Sequence, residues 1–368
     1  MGLIRFLLAI TVAIGHSQGF SYFPGKTAVE VFFIISGFYM SLILNEKYFE
    51  KKNSYKLFIT NRFLRLFPTY WIVLLLTIIL SLVFYQQTVN SGTAKLSAYV
   101  HYSKDLSFST MAYLVFTNIF IFFQDMVCFL GINPHSGNLY FTSNFYNSDP
   151  PVYFFLLIPQ AWTVGLELAY YLIAPFIVKR SLLIIVVLIL LSFILRLFLI
   201  SIGLSHDPWN YRFFPTELLF FLCGTVCYKV YSHFKDKIQA IKWSSILLKA
   251  IFLTIVLFTI LYETILTYIA PGHVQIFYFF LFICALPFIF IYTKSSKLDR
   301  FIGELSYPIY ISHMLMIDVC GWLHIPKGVL LTSVTIVLTI LFSLLINKLV
   351  TEKIEKYRQK RVRAVIAN

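Results

Sequence analysis

The chain is a succession of apolar runs, each about as long as a bilayer is thick. A hydrocarbon core of about 30 Å takes about 20 helical residues. Runs of that kind cover roughly residues 3–20, 27–44, 63–86, 161–178, 181–203, 212–231, 245–268, 273–292, 303–323 and 327–349. Backbone groups in lipid must be paired within their own segment, so the expected class is all-α: a polytopic transmembrane helical bundle of ten to eleven spans. Charged residues make up 12% of the 368 and hydrophobic ones 59%, against about 25% and 45–50% in globular proteins. No soluble surface can be built from so few charges. A soluble enzyme, a disordered chain and a disulfide-stapled secreted domain are excluded.

Lys and Arg nonetheless outnumber Asp and Glu by 30 to 16. Lys47, Lys51, Lys52, Lys56 and Arg62 mark one connection as cytoplasmic by the positive-inside rule. Lys179 and Arg180 mark a second, Lys229, Lys235, Lys237 and Lys242 a third, and Lys294, Lys297 and Arg300 a fourth; further basic residues follow between Lys348 and Arg363. A less clean apolar stretch, 110–130, contains Asn118, Gln124 and Asp125. All the basic connections share one side only if this stretch re-enters, lies at the interface, or crosses back near 151–160. The reading is therefore about ten spans with both termini cytoplasmic and an external element over about 87–160. Residues 1–350 would form the membrane domain and 351–368 a basic cytoplasmic tail, a solvated helix near anionic headgroups. The charge excess reports orientation far more than affinity for an anionic partner, and no nucleic acid is implied.

The first segment carries Arg5 and His16, lacks a small-x-small cleavage site and is followed by another span, so it reads as a retained helix. The cysteines (Cys128, Cys223, Cys227, Cys284, Cys320) lie at no zinc-site spacing, and no metal is expected.

Ionisable groups inside spans mark function or a buried pair. Arg5 and His16 are eleven residues apart, which advances a helix about 16 Å with about 20° of net rotation, so both point the same way. Glu30, on the antiparallel neighbour, falls at a depth His16 can share; a carboxylate there would fix the imidazole tautomer and raise its basicity. Ser36 and Gly37 beyond it read mostly as packing. Arg62 and Arg65 share one face at the cytoplasmic boundary and suit phosphates, and Pro68 is expected to break the helix locally. Glu167 lies in the outer half of its span, after Trp162. Arg212 and Glu217 read as structural pairs, as does His313, on the face of Ser306, Tyr307 and Tyr310. The remaining histidines (His101, His135, His206, His233, His273, His324) read as surface residues. Arginines at one end and His16, Glu30 and Glu167 nearer the other suggest a phosphorylated donor entering from the cytosol, with acid/base chemistry on an acceptor farther out.

At these residues the chain resembles the acyltransferase-3 family of multi-span membrane acyltransferases. Arg5 and His16 match its Arg-x10-His signature. Val29 to Phe38 resembles V-[DE]-x-F-F-x-x-S-G-F, with Glu at 30 where most members have Asp. Arg62 to Tyr70 resembles R-x-x-R-[IL]-x-P-x-Y, and Trp162 to Leu172 resembles W-[ST]-L-x-x-E-x-x-F-Y-L, with Val164 and Tyr170 as departures. Gly303 to His313 is similar to the closing G-x-x-S-Y-x-I-Y-x-x-H.

The resemblance implies transfer of an acyl group, usually acetyl from acetyl-CoA as a donor not permanently bound, to a hydroxyl of an extracytoplasmic glycan or its lipid-linked precursor (EC 2.3.1.-). It implies a bacterial cytoplasmic membrane location. His16 would be the base, with Glu30 or Glu167 orienting or assisting it. Arg5, Arg62 and Arg65 would hold the CoA phosphates, and Ser36, Trp162, Tyr307 and His313 would support the site or the substrate. A separate extracytoplasmic transferase or glycan-assembly protein could act as partner. The competing reading is a transporter or flippase for an amphiphilic or glycolipid substrate, since buried His, Glu and Arg also mark substrate and proton pathways.

Overall fold

The computed structural model describes residues 1–17, 19, 21–48, 54–88, 95–239 and 244–367. Lys51, Lys52 and Lys242, used above for orientation, lie outside the described residues. Each expected span is a helix: α1 (Gly2–His16), α2 (Gly25–Ile43) and α3 (Ser54–Val83) come first, followed by an additional α4 (Phe108–Phe120). Then come α5 (Trp162–Ile177), α6 (Leu182–Ser201), α7 (Phe214–Gln239), α8 (Ser244–Leu266) and α9 (Pro271–Thr293). The series closes with α10 (Lys297–Trp322), α11 (Val329–Ile346) and a tail helix, α12 (Glu352–Ala367). By length and composition six of them can cross a membrane: α2, α3, α6, α8, α9 and α11. α1 and α4 are apolar but shorter, and α5 has 16 residues. The outer face of α6 exposes Leu183, Leu190, Leu191, Ile194 and Phe198, a surface compatible with lipid and not with water.

The stretch 110–130 is not one helix. α4 has 13 residues, about 20 Å of helix, shorter than the hydrocarbon core. It stops at Ile121, whose φ of 65° is left-handed. The chain then makes a 3₁₀ turn and a two-stranded hairpin, β1 (Leu130–Ile132) with antiparallel β2 (Leu139–Phe141). Asn118 explains the arrest: its Nδ2 donates to Phe155 O at 2.9 Å and its Oδ1 accepts from Leu157 N at 2.8 Å. The residues near 151–160 form only short 3₁₀ turns.

The basic connections gather at one end of the bundle. The ammonium of Met1 and the N–H groups of Gly2 and Leu3 all donate to Asp299 of α10 at 2.8–2.9 Å, capping the open donors of α1. Tyr55 packs its ring 5.5 Å from Phe176, and Lys294 lies 5.7 Å from the Tyr231 ring. The starts of α3 and α10 therefore lie with the ends of α5, α7 and α9. His16 lies at the opposite end of α1; Trp209 Nε1 donates to Ser143 O, just beyond the hairpin.

Two sequence expectations are corrected. Pro68 does not break α3, which runs unbroken from Ser54 to Val83; the bonds of neighbouring turns survive, and Tyr307 supplies an additional donor to Leu66 O at 2.9 Å. The tail is not simply a solvated helix. α12 folds back so that Arg361 donates to Asn61 Oδ1 (2.9 Å) and Thr60 Oγ1 (2.8 Å) of α3.

α2 lies along α7 in one of the most extensive helix contacts, made possible by glycines on both sides. A Cβ on Gly37 would sit 1.9 Å from Phe221 O, and one on Gly224 1.9 Å from Ile34 O. Gly224→Ala should therefore force α2 and α7 apart and destabilise the bundle by about 1–3 kcal/mol. Thermal unfolding in detergent would show a lowered midpoint; an unchanged midpoint would refute the close approach.

Candidate active site

At the end where both termini lie, a cavity of about 750 Å³ opens among α1, α2, α3, α5, α10 and α12. Helical spacing decides what it contains. Arg62 and Arg65 are one turn apart on α3, and Thr163, Glu167 and Tyr171 repeat every four residues along α5; all of them line it. Arg5, Ser36, Tyr39, Tyr307 and Tyr310 complete the part that matters for chemistry. Arg62 is 3% exposed, and its Nε and Nη1 have no hydrogen-bond partner among the described residues. A buried, unmatched guanidinium is costly, and an anion in this cavity is the chemistry that would match it. Arg5 adds a second positive charge, stacked at 6.0 Å over the Tyr39 ring.

Glu167 points into the same cavity. It accepts a hydrogen bond from Ser36 Oγ at 2.5 Å and another from Tyr171 Oη. Ser36 thus does more than pack: it orients this carboxylate. Tyr310 links the cavity to what lies beyond it. Its Oη is 3.0 Å from Thr163 Oγ1, while its ring centroid lies 5.9 Å from that of His313.

His313 is fully buried and sits against His16, with its Nε2 3.3 Å from His16 Nδ1 and the ring centroids 5.0 Å apart. His16 is solvent-exposed on its outer side and is not among the residues lining the cavity. Its Nδ1 is 2.9 Å from Val12 O. A carbonyl can only accept, so the proton belongs on Nδ1 and the lone pair on Nε2.

Glu30 is not brought to His16. It accepts from Arg196 Nη2 of α6 at 2.9 Å and from Gln275 Nε2 of α9 at 3.2 Å. Ser36 lies six residues on, about 240° around the helix, which is why one side chain faces the cavity and the other faces α6 and α9. Arg196 Nη1 also lies 3.5 Å from the buried Glu217. The orienting role expected of a carboxylate on His16 is filled by the Val12 carbonyl. Glu217 and Arg212 do form pairs as read from the sequence: Arg212 binds Asp207 at 2.8 Å and covers the Trp162 ring at 4.4 Å. The remaining histidines, His101, His135, His206, His233, His273 and His324, are exposed.

Sequence reasoning missed Arg196, Tyr171 and Arg358. Arg196 stood in view as a lone charge within a hydrophobic run, and Tyr171 as the residue one turn beyond Glu167. Arg358, on the cavity wall, was masked by the basic residues around it. No cluster of His, Cys, Asp and Glu suited to a metal occurs among the described residues.

The family model described as an acyltransferase domain matches residues 1–348. The chain belongs to the acyltransferase-3 family. It is accordingly a multi-pass membrane transferase of acyl groups. It is also similar to an uncharacterized protein of Aquifex aeolicus (strain VF5), 23% identical over 211 residues, 56% of this chain and 91% of that relative. No solved structure matches the chain.

The Glu30–Arg196–Glu217 group lies apart from the cavity lining and holds α2, α6 and α7 together. Arg196→Ala leaves two buried carboxylates without their cation and is expected to destabilise the acyltransferase by about 3–5 kcal/mol. Denaturation in detergent measures it; a loss under about 1 kcal/mol, the scale of an exposed pair, would show that the cluster does not bind the helices.

Proposed function

We propose that this acyltransferase moves an acetyl group from acetyl-CoA to a hydroxyl of a cell-surface polysaccharide or its lipid-linked precursor, with His16 as general base. The observation that carries the reading is the cavity, with unmatched Arg62 at one end and Tyr310 against the His313–His16 pair at the other. Arg5 and His16 stand about 16 Å apart along α1, a separation on the scale of the flexible arm between the phosphates and the thioester of CoA. The gathering of Lys and Arg at the arginine-lined end supports a cytoplasmic donor entrance in a bacterial cytoplasmic membrane. On this reading about ten helices cross, both termini are cytoplasmic, and the acceptor approaches from the side of His16.

In the proposed step His16 Nε2 takes the proton from the acceptor hydroxyl as its oxygen attacks the thioester carbonyl. The tetrahedral centre collapses, the carbon–sulfur bond breaks, and the imidazolium returns the proton to the CoA sulfur. The products are an O-acetyl ester and free CoA. Val12 O holds the tautomer that leaves Nε2 open, and His313 flanks the ring. Glu167, held by Ser36 and Tyr171, stands in the donor cavity and positions the donor there. The guanidinium groups of Arg5, Arg62 and Arg65 hold its phosphates, and CoA needs no permanent attachment.

In proteoliposomes supplied with acetyl-CoA and glycan acceptor, His16→Ala should reduce ester formation by at least about 100-fold while the protein remains folded. Arg62→Gln should instead raise the KM for acetyl-CoA by about tenfold, the worth of one charge-assisted hydrogen bond, with a smaller change in kcat. Near-normal turnover by the His16 variant would sink the assignment of the base. A purified protein that never consumes acetyl-CoA would sink the donor.

A further inference from the structure

The tail helix α12 lies beyond the residues that match the family, 1–348, yet it forms part of the cavity wall. Glu355 and Arg358 line the main cavity and, with Arg5 and Arg65, a smaller one of about 110 Å³ beside it. The basic residues of α12 differ in exposure, with Arg361 half-buried and Arg363 exposed while also lining the cavity. Lys353, Lys356 and Lys360 face out, as a helix resting on headgroups would have them. Arg358 is 7% exposed and faces in.

Its Nη1 donates to Glu355 on the preceding turn, but its Nε is buried with no partner among the described residues. Arg62, which lines the same cavity from α3, likewise has a buried Nε and Nη1 with no partner among the described residues. Arg361 holds the arrangement by bonding to Thr60 and Asn61, two and one residues before Arg62. Buried guanidinium groups repel and lose hydration, so this placement calls for an anion that accepts from both. A phosphate group has the oxygens to do so, and guanidinium geometry is matched to it.

We propose that Arg358 and Arg62 form a two-sided phosphate clamp, making the C-terminal helix a functional part of the binding site. That the phosphate belongs to CoA rests on the donor reading above; an anionic lipid headgroup offers the same chemistry. The clamp makes Arg358 a binding residue of this transferase, supplied from outside the matched domain.

The test is calorimetric titration of CoA into the purified full-length protein in detergent, paired with phosphatidylglycerol binding measured in nanodiscs by native mass spectrometry. Arg358→Gln is expected to weaken CoA binding at least about tenfold, the worth of a charge-assisted hydrogen bond. Arg358→Lys, which keeps the charge and guards against a folding artefact, should weaken it several-fold because an ammonium cannot fork. Lys356→Gln removes the same charge from the exposed face and should change nothing. The clamp is overturned if both Arg358 variants bind CoA and phosphatidylglycerol like wild type, or if Lys356→Gln weakens binding equally. Selective loss of phosphatidylglycerol binding in the Arg358 variants upholds the clamp and assigns its phosphate to a lipid. Wild-type protein that binds no CoA overturns the donor reading, and the clamp is then decided by the phosphatidylglycerol arm.

Discussion

A charge inside an apolar bundle must be matched, and the arrangement of this protein follows from how each one is. Asp299 meets the amino terminus and the first N–H groups of α1. Glu30 and Glu217 share Arg196, and Glu167 is held by two hydroxyls. Arg62 departs from this pattern, being buried with open donors on a cavity wall. The matched groups fasten helices to one another. Arg62, and Arg358 through its Nε, instead leave open donors on residues that line space a ligand can fill.

This division separates architecture from chemistry within a single set of polar residues. Glu30 lies in the same motif as Ser36, yet the two serve different helix contacts because they project from α2 about 120° apart. One closes an ion-paired junction with α6, α7 and α9; the other orients a carboxylate in the cavity. His16, at the far end of α1, and His313, within α10, form a third unit reached from the cavity through Tyr310. The arginine-lined cavity and the histidine pair therefore stand at different depths of the bundle.

Much of this was legible in the residues. The apolar runs located the helices because a bilayer demands about 20 residues per crossing, and the one-turn spacing of Arg62 and Arg65 placed both on one face. The stretch 110–130 was ambiguous for a physical reason: Asn118, Gln124 and Asp125 interrupt it, and Asn118 proves to be the residue that ties α4 to the segment before α5. Pro68 misled because the loss of one backbone bond is tolerated where neighbouring helices hold the chain. The pairing of Glu30 with His16 rested on depth alone, and depth says nothing about azimuth. Arg196 was readable as a charge within a span, but its partners were not.

The helical class, the positions of the helices, the family motifs and the residue types available for chemistry are all readable along the chain. These depend on hydropathy and helical period, which are local. Which side chains meet depends on the folded arrangement of the helices: Arg196 with Glu30, His313 with His16, Ser36 with Glu167, and Arg358 with the cavity of Arg62. Those contacts join residues far apart in the chain, and their selection depends on how each helix is rotated against its neighbours. Rotation is set by packing, such as the close approach of Gly37 and Gly224, and no pattern within one helix encodes the face its neighbour will present.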